Sequence, residues 1–308
     1  MACRPRRTIC FLKTHKCASS SVQNLLMRYG DRHNLSFVLP RRHNYLGHPR
    51  YFDRRMTPGY NRRRYDMLVH HSRFQEAEMR AVLAPDPVFV TIVREPASLF
   101  ESIFSYYALR KKFHISLQHL SRKINDSNFS EAVNMSARHH GGKFGFNQMS
   151  FDLGLEPAQF LNVSAVEAFV RHVDASFDLV MVAERMSESL VLLRHLLCWD
   201  WDDVVVFKLN RRNEKFRQQL NAEERERLRD LNTADTKLYG YFVKRLDERI
   251  AAFGRDRMAT EVEQLANYTR SWYDRCVEYE RPVLRQPKNK FWVSSKVSSS
   301  SMNYRSVH

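Results

Sequence analysis

The chain reads TICFLKTHKCASSSVQNLLMR over residues 8–28, which predicts a strand, a short loop and a helix in succession. The apolar run Ile9–Leu12 has the length of a buried parallel strand. A polar turn follows, and apolar residues then recur at helical spacing from Val22 to Tyr29. A helix that begins directly after a strand directs backbone N–H groups, and the positive end of its dipole, at one point. The stretch therefore predicts a binding loop for phosphate or sulfate.

The side chains around this loop fit an anion. Lys13 and Lys16 flank it, with three serine hydroxyls at 19–21. A Walker A loop is excluded because G-x-x-x-x-G-K-[ST] is absent. A dinucleotide-binding fingerprint is excluded because the loop contains no glycine, so Ala18 and the serines must form the tight turn. The alternative is an ordinary strand-to-helix turn capped by Ser19 or Ser20.

Composition restricts the class of protein and its partners. At 308 residues, with 43% hydrophobic and 12% aromatic residues, the chain is long and apolar enough for one large α/β domain. Its 50 Lys and Arg against 34 Asp and Glu give a net charge of +16. Such a surface attracts polyanions, including nucleic acid, anionic lipid, sulfated glycans and nucleotide phosphates, and the charge does not choose among them.

The sequence also bears on the cellular compartment. No run of about 18 apolar residues is present and no signal peptide is evident, so the protein is either cytosolic or lacks an N-terminal anchor in this chain. Five cysteines show no metal-ligand spacing, and their pairing stays open. N-x-[ST] sequons favour the secretory pathway. They begin at Asn34, Asn125, Asn128, Asn134, Asn162 and Asn267.

Strands alternating with helices predict a parallel α/β sheet within a single domain, residues 1–280. Further strands are predicted at 35–39, 65–69, 88–93, 179–183 and 204–209. Helices are predicted over 74–83, 97–111, 166–173, 187–197, 223–253 and 258–279, with interruptions at Asn232 or Gly240. Residues 41–63 form a long loop, residues 112–163 mix short helices and loops, and the polar tail 281–308 is expected to be disordered.

A second anion signal follows the strand predicted at 88–93. Arg94 ends that strand, and Ser102 lies eight residues further on, in the next predicted helix. An arginine fork with a hydroxyl suits a terminal phosphate monoester. The alternative is an arginine that ends a strand beside an unremarkable helix serine.

Two segments, FLKTHKCASSSVQNLL (11–26) and VTIVREPASLFESIFSYY (90–107), resemble the cofactor-binding segments of Golgi carbohydrate sulfotransferases. The galactose 3-O-sulfotransferase family is the most similar. Shorter segments resemble it in order: DRHNL (31–35), HHSRF (70–74), FDLG (151–154), ESLVLLRHLLCW (188–199) and DDVVVFKLN (202–210). The resemblance covers about residues 8–215. It implies a P-loop-like sulfotransferase fold, with a central parallel sheet flanked by helices.

The resemblance also implies a donor and the residues that bind it. The donor is 3′-phosphoadenosine 5′-phosphosulfate (PAPS), used without a catalytic metal. Its 5′-phosphosulfate is expected to lie against Lys13, Thr14, Lys16, Cys17, Ala18, Ser19, Ser20 and Ser21. Lys16 is expected to stabilise the bridging oxygen of the leaving group, and Arg94 and Ser102 to bind the 3′-phosphate. Cys17 departs from the threonine common in the family, and the similarity weakens after residue 215.

Transfer to a sugar hydroxyl requires a base, and histidine suits that role because its pKa lies near neutrality. His71 follows the strand predicted at 65–69 and matches a family position, so it is favoured. His15, inside the loop, also matches and is either the base or a group that orients donor and acceptor. His70 has no such support, and nucleophilic catalysis by Cys17 is not expected. Additional donor contacts, or a solvated basic turn, are predicted at Lys208, Arg211 and Arg212.

The resemblance thus implies a carbohydrate sulfotransferase acting on the 3-hydroxyl of a terminal β-galactose in a glycolipid or glycoprotein. The resemblance implies an N-glycosylated type II membrane protein of the Golgi lumen, held at the membrane by an N-terminal anchor absent from this chain. One alternative is a sulfotransferase for another acceptor, such as a uronic acid 2-hydroxyl in a glycosaminoglycan. Another is a protein that binds nucleic acid or polyanions, but the interleaved basic and aromatic residues it needs are not evident. A P-loop-type kinase is disfavoured by the missing glycines. No nucleic acid partner is expected.

Overall fold

The structure, a computed structural model, describes residues 3–41, 44–113, 116–122, 145–206 and 219–276. Its centre is a four-stranded parallel sheet in the order β2-β1-β3-β4. The strands are β1 (Ile9–Leu12), β2 (Met67–Leu68), β3 (Val88–Val93) and β4 (Leu179–Val182). Every residue of these strands is buried, so both faces of the sheet are covered, as expected for parallel strands.

Helices connect and cover the strands. The described helices are α1 (Ser19–Arg32), α2 (Glu76–Val82), α3 (Pro96–Tyr106), α4 (Leu109–Phe113), α5 (Leu117–Arg122), α6 (Gln148–Asp152), α7 (Val163–Ser176), α8 (Met186–Leu197), α9 (Ala222–Leu231), α10 (Thr233–Phe253) and α11 (Arg255–Cys276). The predicted α/β class with a parallel sheet is confirmed. Within the described residues, no helix combines the length and apolar character needed to cross a membrane.

The edge of the sheet beyond β1 differs from the prediction. The strand predicted at 35–39 is wrong, because only Phe37 bridges Met67 there. The strand predicted at 65–69 is reduced to the two residues of β2. The described part of the long loop predicted at 41–63 makes ordered contacts: Tyr45 bridges His71, Tyr51 bridges Arg73, and a 3-10 turn spans Arg54–Met56. This segment therefore lies along the chain that follows β2.

Other differences concern helix breaks and ends. The helix predicted at 97–111 is divided at Ala108, whose φ of 51° is left-handed. The helix predicted at 223–253 is divided at Asn232 and continues through Gly240. The strand predicted at 204–209 is not formed at 204–206, and its remainder lies outside the described residues. The predicted disordered tail, 281–308, also lies outside them.

A disulfide fixes the N-terminal segment to the rest of the fold. Cys3 is bonded to Cys198 at the end of α8, with Cα atoms 5.8 Å apart. Nearby, Arg6 N donates to Leu197 O at 2.8 Å, and Trp199 Nε1 donates to Arg6 O at 3.0 Å. The cysteine pairing that the sequence left open is therefore resolved for these two residues, while Cys10 and Cys17 are free and buried.

Candidate active site

The register of the sheet brings the two predicted anion-binding segments together. Leu12, the last residue of β1, pairs with Thr91 of β3, so the following segments leave the same edge side by side. Thr14 Oγ1 donates to Ile92 O at 2.6 Å, and Arg94 Nη1 donates to Lys16 O at 2.8 Å. In parallel sheets this edge, beyond the carboxyl ends of the strands, is where ligands bind.

In the loop between β1 and α1, non-glycine residues adopt a left-handed backbone conformation that glycine usually supplies. Lys16 and Ala18 have φ values of 57° and 59°, a left-handed conformation that costs non-glycine residues about 1–3 kcal/mol each. The helix begins after Ala18 with no side-chain cap, so the alternative of a cap by Ser19 or Ser20 is wrong. Instead Ser19 Oγ donates to Thr14 O at 2.6 Å. First-turn N–H groups have no acceptor within their helix, so this end of α1 suits an anion.

The remaining loop residues differ in accessibility. Ser20 is exposed, and Ser21 is half-buried with its backbone N–H donating to Ala18 O at 3.0 Å. Cys17 is buried, and burial raises the pKa of its thiol well above the ordinary value. A thiol that stays protonated is a poor nucleophile. Lys16 is half-buried, and its Nζ lies 3.6 Å from the centre of the Tyr106 ring.

Lys13 is a buried cation at the end of β1. Its side chain is 3% exposed, and its Nζ donates to Gln23 Oε1 of α1 at 2.7 Å. Burial, together with the charge of Lys16, lowers the pKa of Lys13 to about 8. A bound anion would offset both effects, so the site is electrostatically suited to a negatively charged ligand.

Arg94 and Ser102 lie on different elements. Arg94 directly follows β3, and Glu95 then caps α3 by accepting from Ala97 N and Ser98 N. Arg94 Nε lies 4.0 Å from Glu184 Oε1, so its side chain is held between the loop and a carboxylate. Ser102 is half-buried on α3. Their joint contact with a 3′-phosphate stays a prediction.

The two histidines favoured by the sequence are stacked. Their ring centroids lie 4.3 Å apart with planes inclined by 21°. His71 Nδ1 lies 2.8 Å from Lys13 O, and because a carbonyl only accepts, Nδ1 carries the hydrogen and Nε2 carries the lone pair. Burial, followed by the charges of His15 and Lys13, holds the pKa of His71 well below its ordinary value. His71 is therefore a neutral proton acceptor near pH 7.

His15 is held by a carboxylate that is distant in the sequence. Its backbone N and its Nδ1 both lie 2.8 Å from Asp152 Oδ2 at the end of α6. His48 Nε2 and Gln148 Nε2 reach Asp152 Oδ1 at 3.1 and 2.8 Å. Burial would raise the pKa of Asp152, but the charge of His15 and the hydrogen bonds from His15 and His48 outweigh it and hold the pKa well below its usual range.

The same cluster is the candidate for a cation. His15, His48 and Asp152 each offer one ligand atom, and these atoms lie within 4.8 Å of one another. Both histidine nitrogens that face the carboxylate, however, lie at hydrogen-bond distance from it and must carry hydrogen to donate. A metal would have to displace both protons, so the arrangement fits a hydrogen-bonded cluster better.

His70 lies next to His71 but has a different environment. It is 7% exposed, and its Nδ1 has no hydrogen-bond partner among the described residues. Burial and the charge of Lys13 lower the pKa of His70 to about 4. His70 is therefore neutral at physiological pH. Lys208, Arg211 and Arg212, which the sequence suggested as further donor contacts, lie outside the described residues.

Sequence reasoning missed Gln23, His48 and Asp152 as parts of the site. Gln23 was visible only as a polar residue on the first turns of α1. His48 lay in the segment interpreted as a long loop. Asp152 belongs to the FDLG segment, but nothing in the local pattern connects it with His15, 137 residues earlier.

Fold and site together define an α/β protein of the open parallel-sheet class, with its polar residues gathered where β1 and β3 end. Residues 1–295 match the family model described as Galactose-3-O-sulfotransferase, and the chain belongs to this family. The family suggested by the sequence resemblance is thus confirmed.

Individual relatives agree with this assignment. The chain is 35% identical to mouse galactosylceramide sulfotransferase over 287 residues, covering 90% of this chain and 65% of that protein. It is 38% identical to mouse galactose-3-O-sulfotransferase 3 over 288 residues, covering 90% of this chain and 64% of the relative. Human galactose-3-O-sulfotransferase 2 is 33% identical over 309 residues, covering 98% of this chain and 77% of that protein. The chain thus spans less than two thirds of the length of the first two relatives.

Proposed function

We propose that the protein is a sulfotransferase that moves a sulfuryl group from PAPS to the 3-hydroxyl of a terminal β-galactose on a glycolipid or glycoprotein. Membership of the galactose-3-O-sulfotransferase family supports the reaction class. The observation that carries the proposal is the position of a neutral histidine, His71, hydrogen-bonded to the loop that holds Lys13 and Lys16.

The residues of the loop suit the donor. Lys13, Lys16 and the uncapped start of α1 supply positive charge and N–H donors for a phosphosulfate. Thr14 and Ser19 fix the loop through their own hydrogen bonds rather than through free hydroxyls. Cys17 and Ala18 contribute backbone only. Ser20 and Ser21 remain the accessible hydroxyls of the predicted set, and Arg94 and Ser102 are assigned to the 3′-phosphate.

The transfer requires two groups from this chain. His71 Nε2 accepts the proton of the galactose 3-hydroxyl as its oxygen forms the new bond to sulfur. Lys16 stabilises the negative charge that develops on the phosphate oxygen as the old sulfur–oxygen bond breaks. His15 borders His71 and orients it. The step is a direct in-line displacement, so no covalent intermediate on the protein is needed.

We further propose that the protein works in the Golgi lumen. A disulfide between Cys3 and Cys198 suits an oxidising compartment. Three predicted sequons begin at exposed residues, Asn34, Asn162 and Asn267. The other three sequons begin at residues outside the described ranges. The N-terminal anchor stays an expectation from the sequence.

Calorimetric titration with adenosine 3′,5′-bisphosphate and with AMP tests the donor assignment. Tight binding of the bisphosphate, weak binding of AMP, and loss of that preference in Arg94→Ala are expected. Arg171→Ala, which removes an exposed arginine from α7, is the matched control. Equal binding of both nucleotides would refute the assignment. Acceptor assays with β-galactosides and with uronic acid-containing glycosaminoglycans then test the acceptor, and sulfation of the latter alone would assign the alternative.

A further inference from the structure

The Asp152 carboxylate is the centre of a hydrogen-bonded cluster with His15, His48 and Gln148. It is completely buried and lies within hydrogen-bond distance of His15 N, His15 Nδ1, His48 Nε2 and Gln148 Nε2. Two of these contacts belong to one residue, so the carboxylate fixes both the backbone and the ring of His15. It therefore connects α6 to the loop after β1.

Because an ionised carboxylate only accepts hydrogen bonds, it determines which nitrogens are protonated. His15 must carry hydrogen on Nδ1, and His48 must carry it on Nε2. The low pKa of Asp152 means that it stays ionised throughout the physiological range. The orientation of the His15 ring, on which His71 stacks, is thus fixed by a permanent negative charge.

The electrostatic consequence reaches His71. Asp152 holds the His15 ring against His71, whose ring centroid is 4.3 Å away, and His15 opposes protonation of His71. The other groups facing His71 are Lys13, which also opposes its protonation, and the stacked ring of Tyr45 at 5.2 Å. Asp152 itself favours protonation of His71, but less strongly than His15 opposes it.

We propose that Asp152 is a positioning residue of the active site, which holds His15 in one tautomer against His71 and so keeps the His71 ring placed as the proton acceptor. This inference rests on the proposed sulfotransferase function and adds a role for a residue that touches neither substrate. His48 shares the carboxylate and supports its orientation.

The variant Asp152→Asn tests the proposal, with Asp174→Asn as the matched control. Asp174, on α7, also accepts hydrogen bonds from two side chains, those of Tyr241 and Arg245 on α10, but it lies away from the site. We expect Asp152→Asn to keep its affinity for adenosine 3′,5′-bisphosphate, to lose at least about tenfold in kcat, and to shift the acidic limb of the kcat–pH profile. A kcat and a pH profile equal to those of the control would overturn the proposal.

A second measurement does not depend on turnover. Side-chain ¹⁵N NMR of the wild-type chain should show a protonated Nδ1 for His15, and that signal should shift in Asp152→Asn but not in Asp174→Asn. If the wild type showed no sulfotransferase activity, the proposed function would fail while this test would still report on the Asp152–His15 contact. An unchanged His15 signal would overturn the proposal whatever the activity.

A companion variant guards against misfolding. His48→Gln keeps a side-chain N–H for Asp152, whereas His48→Ala removes it, and we expect the glutamine variant to retain more kcat. Equal losses would contradict a role through the carboxylate. Loss of activity after chelation, with recovery on adding a divalent cation, would also overturn the proposal, because His15, His48 and Asp152 would then serve as metal ligands.

Discussion

His71 donates its Nδ1–H to the main-chain carbonyl oxygen of Lys13 across 2.8 Å. This single bond joins the segment after β2 to the loop after β1, and it leaves Nε2 as the basic nitrogen of His71. The position of the proposed base therefore depends on the same loop that is proposed to hold the donor. The proposed roles in proton transfer and in donor binding are therefore geometrically coupled.

Replacement of His71 by glutamine is expected to lower kcat by about 10²–10⁴-fold, the usual contribution of a general base. Affinity for adenosine 3′,5′-bisphosphate should stay near the wild-type value, because the loop lysines remain. Steady-state kinetics and calorimetry measure the two quantities. His70→Gln is the control, since His70 is the neighbouring buried histidine. If His15→Gln abolished turnover while His71→Gln did not, the base would be His15.

The acidic side of the pH profile should reflect the lowered pKa of His71. A base is active when deprotonated, and burial and nearby positive charge move the pKa of His71 well below 6.5. Activity is therefore expected to persist as pH falls through 6.5 and to decline only at lower pH. The profile of kcat between pH 5 and 8 checks this. A decline centred above pH 6.5 would contradict it.

The alkaline side should reflect Lys13, whose pKa is lowered to about 8. Lysine binds an anion when protonated, so kcat/KM for the donor is expected to fall by about tenfold per pH unit above pH 8. Calorimetry at pH 8–9 in buffers of different ionisation enthalpy should show proton uptake on binding the bisphosphate. Lys13→Arg should move the limb upward because arginine stays charged. If the alkaline limb were unchanged in Lys13→Arg, the limb would belong to another titrating group.

Loss of the Lys16 ammonium is expected to lower kcat by about 10²–10³-fold, as for other groups that stabilise developing charge. Lys16→Gly is the preferred variant, because glycine accepts the φ of 57° without strain and so keeps the loop conformation while removing the charge. Lys16→Arg should recover part of the activity. The exposed Lys111 of α4 provides the control, Lys111→Ala. Wild-type kcat in Lys16→Gly would show that another group stabilises the leaving phosphate.

Removal of the Cys3–Cys198 disulfide is expected to lower the free energy of unfolding by about 2–5 kcal/mol, because it closes a very long loop. Urea unfolding of Cys198→Ser and of the wild type, with and without reductant, measures this. Reductant should destabilise the wild type and leave Cys198→Ser unchanged. Equal midpoints for oxidised wild type and variant would show that the bond contributes nothing to stability.

Local patterns predicted much of the fold. The apolar runs of β1, β3 and β4 and the periodicity of α1, α7 and α8 appear within a few residues, so they could be identified from the sequence. Short edge segments could not be identified in this way. The segment 35–39, predicted as a strand, pairs with β2 only through the bridge between Phe37 and Met67. Such segments depend on the neighbour against which they lie, and that neighbour is distant in sequence.

The sequence by itself determined the strand–loop–helix unit after Thr8, the cations around it and the family to which the chain belongs. These follow from side-chain order over short distances, which sets strand burial, helix periodicity and loop charge. Tertiary structure alone decided the contact of Asp152 with His15, 137 residues apart, and the bond between Cys3 and Cys198, 195 residues apart. It also decided that His71 is neutral. The reason is physical: burial and neighbouring charge set a protonation state, and both arise only when distant segments pack together.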